Sequence, residues 1–227
     1  MTDQTPARRR WFQFRLRTLL VAVLVFSLPL SWFASRMERA RRQKEAVEAI
    51  ERLGGAVIYP WELPFSTHRE PRLLRWLGKD FYDIALVSMC GTKITPEIVV
   101  HLKQLPALPA LTLQHCDFGD QGLRFLSDLR GLEWLDLSFT STTDGDLICL
   151  EDSPSLRWLS LYRTPVTDTG LSFLESLPNL THLELRTTAV SSQAAEAFRL
   201  AHPDCEVMAD EPDQGDSGNE VVLLPHL

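Results

Sequence analysis

The sequence of 227 residues lacks the short motifs of common catalytic chemistry. It contains no HExxH, GxSxG, P-loop or GxGxxG, which are typical of zinc proteases, serine hydrolases and nucleotide-binding proteins. Its four cysteines stand singly without a CxxC pair, so the spacing of a zinc site or a small disulfide scaffold is also missing. We therefore predict reduced or buried thiols, no catalytic residue, no cofactor and no metal.

Acidic residues are scarce in the first 44 positions. Asp3 and Glu38 stand there against ten of the 23 lysines and arginines, whereas the remainder of the chain holds 13 basic and 28 acidic residues. A basic N-terminal segment on an otherwise acidic chain indicates that the two parts lie in different environments. Such asymmetry often marks contact with a membrane or a nucleic acid.

Charged residues are absent from positions 18–35, TLLVAVLVFSLPLSWFAS. A helix of this length spans about 27 Å, just enough for the core of a bilayer. Basic residues stand on both sides, and aromatic residues sit near both edges, where rings favour the headgroup region. We predict a single-pass transmembrane helix at 18–35, a basic N-terminal tail at 1–17 and a helical stalk at 36–55.

Three alternatives for the N-terminal segment fit less well. A cleaved signal peptide needs small residues before the cut, and Trp32 and Phe33 break that pattern, so we favour an uncleaved signal-anchor. Residues 9–12, RRWF, resemble a twin-arginine export signal, but Arg15 and Arg17 crowd the apolar run. Interleaved arginines and aromatics also occur in binders of single-stranded nucleic acid. Beside an apolar run they are more simply an anchor on anionic lipid, and we predict no nucleic-acid partner.

The orientation of this helix stays open, because five basic residues lie close to each of its ends. Acidic residues count little in the positive-inside rule. A short N-terminal tail before the first helix favours a cytoplasmic N-terminus. The rest of the chain would then lie on the outer, periplasm-like side.

A period of 24 residues is the strongest pattern, beginning at Ile84 and running through five copies without an insertion. In each copy LxxLxL predicts a short strand whose alternate residues point inward. A Thr or Cys then turns the chain (Cys116 offers little hydrogen bonding), and a Thr, Ser or Gly stands at the N-cap of a helix. One unit cannot bury its apolar face alone, so neighbours must stack. One column of this period is Val87, Leu111, Leu135, Leu159 and Leu183.

Residues 156–178, LRWLSLYRTPVTDTGLSFLESLP, resemble a leucine-rich repeat with a VTDxGL helix start. The whole arrangement resembles the single-span leucine-rich-repeat proteins of planctomycete bacteria, through an FxFRLRTLL entry at 12–20 and an LGxDF lead-in at 77–81. The predicted fold is α/β, a leucine-rich-repeat solenoid at 84–207. It would form a short horseshoe arc of five 24-residue repeats preceded by a transmembrane helix. The resemblance implies a binding scaffold and brings no catalytic residues.

The ends of a repeat stack need covers. We predict an N-terminal cap at 56–83, with Leu73, Leu74, Trp76 and Leu77 as its buried face. Residues 208–227 hold five acidic residues and no Lys or Arg, which predicts an acidic disordered tail. Its VVLL at 221–224 is either a frayed end or a docking peptide.

The outward residues of the predicted strands line the concave side of the arc and form the candidate site. Trp134 and Trp158 are neighbours there on adjacent strands, about 4.8 Å apart in backbone. Clusters of Trp, Tyr and Arg are typical of binding hot spots. The candidate partner-binding residues are Trp134, Asp136, Trp158, Tyr162, His182, Glu184 and Arg186, with Phe139 and Arg163 at the rim.

Each candidate also has a plainer interpretation. The two tryptophans would cover each other by lateral stacking, and His182 would be an ordinary surface residue. Asp136 and Glu184 lie two repeats apart, about 9–10 Å in backbone, so we interpret them as solvated charges and not as an acid and base pair.

These features predict a membrane-anchored protein–protein interaction scaffold that binds an unidentified protein partner through its concave face. The alternatives are a structural component of the cell envelope without a discrete partner, and a non-catalytic regulatory subunit of an enzyme.

Overall fold

The structure is a computed structural model that describes residues 16–62, 83–105, 108–119 and 122–210. Within the first helix, side chains are described at Ser27 and from Leu30 onward. The helices are α1 (Leu16–Arg52), α2 (Pro96–Gln104), α3 (Asp144–Leu147), α4 (Asp168–Leu174) and α5 (Ser192–Ala201), with 3-10 turns at Pro60–Glu62, Arg124–Asp128 and Ile148–Leu150. The strands are β1 (Ala56–Ile58), β2 (Leu86–Ser88), β3 (Ala110–Thr112), β4 (Trp134–Asp136), β5 (Trp158–Ser160), β6 (His182–Glu184) and β7 (Glu206–Met208).

The seven strands form one sheet in chain order. β1 pairs with β2 in the antiparallel sense, and all later neighbours are parallel. Each parallel pair joins residues 24 positions apart, as Leu111 with Leu135 and Leu159 with Leu183. The predicted period is therefore the strand register of the solenoid.

The apolar columns of the period form one continuous core. The central strand residues Val87, Leu111, Leu135, Leu159 and Leu183 are all 0% exposed. Each such side chain contributes about 1.5–3 kcal/mol when it leaves water, so this column alone is a large part of the driving force for stacking. The prediction that neighbouring units must bury a shared face is confirmed.

The helical side is less regular than predicted. In the fourth and fifth copies Thr167 and Ser191 accept hydrogen bonds at the N-termini of α4 and α5, from Thr169 N at 3.3 Å and Ala194 N at 3.1 Å. The second copy has Gly119 at the cap position, which has no side-chain oxygen, and only a 3-10 turn is described there. The capping residue alone does not set helix length, because α3 spans only four residues although Thr143 and Asp146 form a capping box at its start.

The threonines that follow each strand close the turn by hydrogen bonding. The hydroxyls of Thr92, Thr140, Thr164 and Thr188 each donate to the carbonyl three residues earlier at 2.6–2.7 Å. Cys116, from which we expected little, donates its thiol to the Met89 carbonyl of the preceding repeat at 2.8 Å. That expectation was wrong, because the sulfur lies within reach of the neighbouring unit.

Aspartates at the helix starts join one repeat to the next. The Asp144 carboxylate accepts from the Thr167 amide at 2.8 Å and the Thr167 hydroxyl at 2.6 Å. Asp168 does the same for Ser191, at 2.6 and 2.8 Å. The repeat pattern does not predict these contacts, which connect each helix start to the following one.

The end of α1 covers the first repeat. Ala46, Val47 and Ile50 are buried in the common core and α1 packs on α2. This packing gives the segment 36–55 a role that the prediction of a stalk does not include. The predicted cap face at residues 73–77 lies outside the described residues.

The last repeat is covered by β7 and by one side chain. The Thr187 amide donates to the Asp210 carboxylate at 2.7 Å, whereas the equivalent amides of the earlier turns donate to a backbone carbonyl. Met208 and Asp210 thus belong to the folded unit, although we assigned them to the tail, and residues 211–227 lie outside the described residues.

In the part of the chain that the structure describes, no helix combines the length and the apolar character needed to cross a bilayer. The predicted span 18–35 falls within α1, but most of its side chains lie outside the described set. The basic tail at 1–15 lies outside it as well. The transmembrane assignment stays a prediction.

Asp144→Ala removes both hydrogen bonds to Thr167, and we expect it to lower the free energy of unfolding by about 1–2 kcal/mol. Asp152→Ala is the matched control, since Asp152 is exposed and should change stability by less than about 0.5 kcal/mol. Urea unfolding of the purified chain measures both. Equal urea midpoints for the two variants would contradict a stabilising role of Asp144 between the repeats.

Candidate binding surface on the strand face

The side chains that point away from the helices form what we call the strand face. Its first row contains Ala110, Trp134, Trp158 and His182. The middle row contains Thr112, Asp136, Ser160 and Glu184. The third row, two positions further on, contains Gln114, Ser138, Tyr162 and Arg186. Parallel pairing sets these rows, because it holds equivalent residues of adjacent repeats side by side.

Trp134 and Trp158 stack in the first row. Their ring centroids are 4.3 Å apart with planes 12° from parallel, and both side chains stay partly exposed. His182 is next in the row, with its Nδ1 2.9 Å from the Thr181 hydroxyl and its Nε2 3.5 Å from Glu206. Lateral stacking therefore occurs, and it fixes two large rings at the surface.

The middle row is buried. Asp136 is 3% exposed and Glu184 6% exposed, so the interpretation of these residues as solvated charges is wrong. Third-row residues of the same or the adjacent strand supply the donors to both carboxylates. The two residues are separated by Ser160 on β5 and do not form an acid and base pair.

The Asp136 carboxylate accepts several hydrogen bonds. Gln114 Nε2 and the Ser138 amide and hydroxyl all donate to it. The Ser138 and Ser160 hydroxyls lie 2.8 Å apart. Because the Ser138 hydroxyl donates its one hydrogen to Asp136, the Ser160 hydroxyl donates to Ser138. These bonds satisfy the buried charge and lock three adjacent strands together.

Glu184 positions Arg186 by a two-pronged ion pair. Arg186 donates from Nε to Oε1 at 2.8 Å and from Nη2 to Oε2 at 2.7 Å, and its amide also donates to Oε1. The hydrogen bond to Glu184 and the charge of that carboxylate raise the pKa of Arg186 above its ordinary value. The guanidinium is thereby held in place while its outer surface stays exposed.

A column of left-handed residues follows the third row. His115, Phe139, Arg163 and Thr187 have φ between 55° and 59°, and Gly91 fills the same position in the first repeat. Each of the first three donates its amide to the carbonyl of the following repeat, at 2.9–3.1 Å. Such φ values are uncommon outside glycine, so these inter-repeat bonds sustain an otherwise costly conformation.

This column carries its own stack of side chains. The His115 and Phe139 rings stack at 4.4 Å, and the Arg163 guanidinium lies over Phe139 at 5.4 Å. Tyr162 meets Phe139 edge-on at 5.2 Å, and Arg186 lies 5.9 Å from the Tyr162 ring. The sequence analysis omits His115, although its place 24 residues before Phe139 would have revealed it.

The predicted residues therefore divide into two patches. Trp134, Trp158 and His182 form the entry patch, at the start of the strands. The turn patch contains His115, Phe139, Tyr162, Arg163 and Arg186. Four residues along the chain, at most about 13 Å of extended backbone, separate Trp158 from Tyr162, and the buried acidic row lies between them. Tyr162 and Arg186 thus lie apart from the two tryptophans, whereas His182 lies beside Trp158.

No cluster of three or more potential metal ligands occurs among the described residues. The cysteines are free and do not form a site. Burial raises the pKa of Cys149 to about 12 and that of Cys205 to about 11, and it raises that of Cys116 as well. Cys90 is exposed.

Comparison with known proteins identifies no family. No family model and no curated protein match this chain. Among solved structures, it is similar to internalin C2 from Listeria monocytogenes, with a TM-score of 0.37 and 18% identity over 56% of this chain and 74% of that one. The chain's own register and buried columns define it as an α/β solenoid of the leucine-rich-repeat kind.

The thiols should differ in reactivity. The thiolate is the reactive form, so a raised pKa slows alkylation at neutral pH. At pH 8 we expect alkylation to modify Cys90 well before the other three, and raising the pH towards 10 should increase labelling at Cys205 before Cys149. Mass spectrometry of the labelled peptides measures the order. Equal rates for Cys90 and Cys149 at pH 8 would contradict the burial that raises the pKa of Cys149.

Proposed function

We propose that the chain is a membrane-tethered interaction module that binds a protein partner through the strand face. The observation that carries this proposal is the pair of exposed patches whose aromatic and arginine side chains are fixed before any partner arrives. Trp134 is held by Trp158, and Arg186 is held by Glu184.

Fixed side chains favour binding because little rotamer entropy is lost when a partner covers them. Trp, Tyr and Arg are also the residue types that dominate binding energy at protein interfaces. A row of strands offers an extended surface, which suits a macromolecule better than a small molecule that needs a closed pocket.

A structural component of the envelope is the second candidate. It is supported by the Trp134–Trp158 stack itself, since each ring already covers part of the other without any partner. In that case the exposed aromatics of both patches would tolerate replacement without loss of function.

We further propose that residues 18–35 hold the protein in a membrane, with the N-terminus cytoplasmic and the repeats on the outer side. The apolar run supports the tether. So do Leu30, Trp32 and Phe33 at its described end, which are 65%, 60% and 44% exposed. Membership of the planctomycete single-span family, which the entry and lead-in motifs suggest, is proposed on the same footing.

The strand-face proposal is tested by pull-down after crosslinking in native membranes. The variant combines Trp134→Ala, Trp158→Ala and Tyr162→Ala. We expect the wild type to capture a discrete protein and the variant to lose at least about nine-tenths of it, since loss of even one hot spot costs about 2 kcal/mol or more.

The matched control replaces three exposed apolar residues away from the strand face: Val100→Ala, Ile148→Ala and Leu200→Ala. It should capture the partner as the wild type does, and circular dichroism should show all three chains equally folded. If the strand-face variant still captures the same protein, or the control loses it, the binding site lies elsewhere.

Topology is tested with an impermeant maleimide on Cys90, the exposed thiol. Intact cells should label Cys90 as fully as opened cells do if the repeats face outward. Cys90→Ser provides the background, because the three remaining thiols have raised pKa values. Labelling only after opening would place the repeats on the cytoplasmic side.

A further inference from the structure

The turn patch contains one arginine, Arg163, whose charge no described acid pairs with. Arg163 is exposed and rests on the Phe139 ring, and none of the described carboxylates lies within ion-pair distance of it. Arg186 pairs with Glu184 and also lies near Asp210, so Arg163 is the arginine of the patch that keeps its full charge. Glu206 lies beside His182 in the first row, and Asp136 is buried and saturated with donors. The patch therefore favours an acidic partner segment with some apolar character.

The chain leaves the folded unit beside this patch. Asp210, the last described residue, is held by the Thr187 amide. Thr187 is the next member of the left-handed column after Arg163, and it directly follows Arg186. The charge of Asp210 is felt at Arg186, where it helps to raise the pKa.

The segment that follows has the matching chemistry. Residues 211–227 contain Glu211, Asp213, Asp216 and Glu220, no Lys or Arg, and the apolar run VVLL. Three strand spacings of about 4.8 Å separate Thr187 from His115, about 14 Å in all. At about 3.3 Å per extended residue, five residues cover that distance, so the segment reaches the whole patch.

We propose that residues 211–227 bind across the turn patch of their own chain, with the acidic residues facing Arg186 and Arg163 and the apolar run covering Phe139. The segment would then compete with an external partner for this half of the strand face. Only that competition rests on the proposed function, since binding of the tail requires no partner.

The binding is expected to be weak and reversible. Exposed ion pairs contribute little each, but attachment to Asp210 gives the segment a local concentration in the millimolar range. A contact of this kind weakens with ionic strength, because salt screens exposed charges. A partner with better contacts can therefore displace the segment.

Hydroxyl-radical footprinting of the purified full chain tests the proposal. The variant carries Glu211→Gln, Asp213→Asn, Asp216→Asn and Glu220→Gln. If the segment covers the patch half of the time, oxidation of Phe139 and Tyr162 should rise about twofold in the variant at low salt. Oxidation of Trp134 should not change. Wild type in high salt should approach the variant.

A second variant removes positive charge from the turn patch instead of negative charge from the tail. Arg163→Gln should raise oxidation of Tyr162 as the tail variant does, whereas Arg130→Gln, an exposed arginine outside the patch, should not. Equal oxidation of Tyr162 in wild type and tail variant at low salt would overturn tail binding.

Pull-down separates this proposal from the proposed function. With tail binding established by footprinting, the tail variant should capture about twice as much partner as the wild type if the two compete. Equal capture would overturn the competition and leave the strand-face site standing. Absence of any partner alongside a positive footprint would count against the proposed function and not against tail binding.

Discussion

The backbone donors at each turn bond to the next repeat, and the rest of the structure depends on this interaction. The amides of Gly91, His115, Phe139 and Arg163 each donate to a carbonyl 23 residues later. Each repeat therefore needs a neighbour to complete both its turn and its core. The two ends need substitutes. At one end α1 and β1 cover the first repeat, and at the other β7 and the Asp210 carboxylate complete the last one.

The same interaction shapes the candidate surface. A turn that gives its amide to the next repeat adopts positive φ, and it thereby lines up His115, Phe139 and Arg163 in one stack. Parallel pairing likewise lines up the tryptophans. The buried carboxylates of Asp136 and Glu184 act below this surface, since they hold neighbouring strands and Arg186 in fixed positions. They act on the proposed binding surface only through the residues that they position.

The periodic part of the fold could be predicted from sequence, because strand register and core columns repeat every 24 residues and leave a visible pattern. Non-periodic features could not. Burial of Asp136 depends on Gln114 and Ser138, which the column of leucines does not reveal. The packing of α1 over the first repeat follows from tertiary contacts of Val47 and Ile50, residues that an isolated stalk would also contain. The division into two patches could not be predicted either, because it depends on the burial of the middle row between them.

The most direct test of the account is a comparison of side-chain oxidation in native membranes and in the purified chain. If the strand face holds a partner in the cell, Trp134 and Trp158 should be markedly less oxidised in native membranes than after purification. Phe173, which is half-buried on α4, should be unchanged. Equal oxidation of the tryptophans in both preparations, or protection of Phe173 alone, would contradict a binding role for this surface.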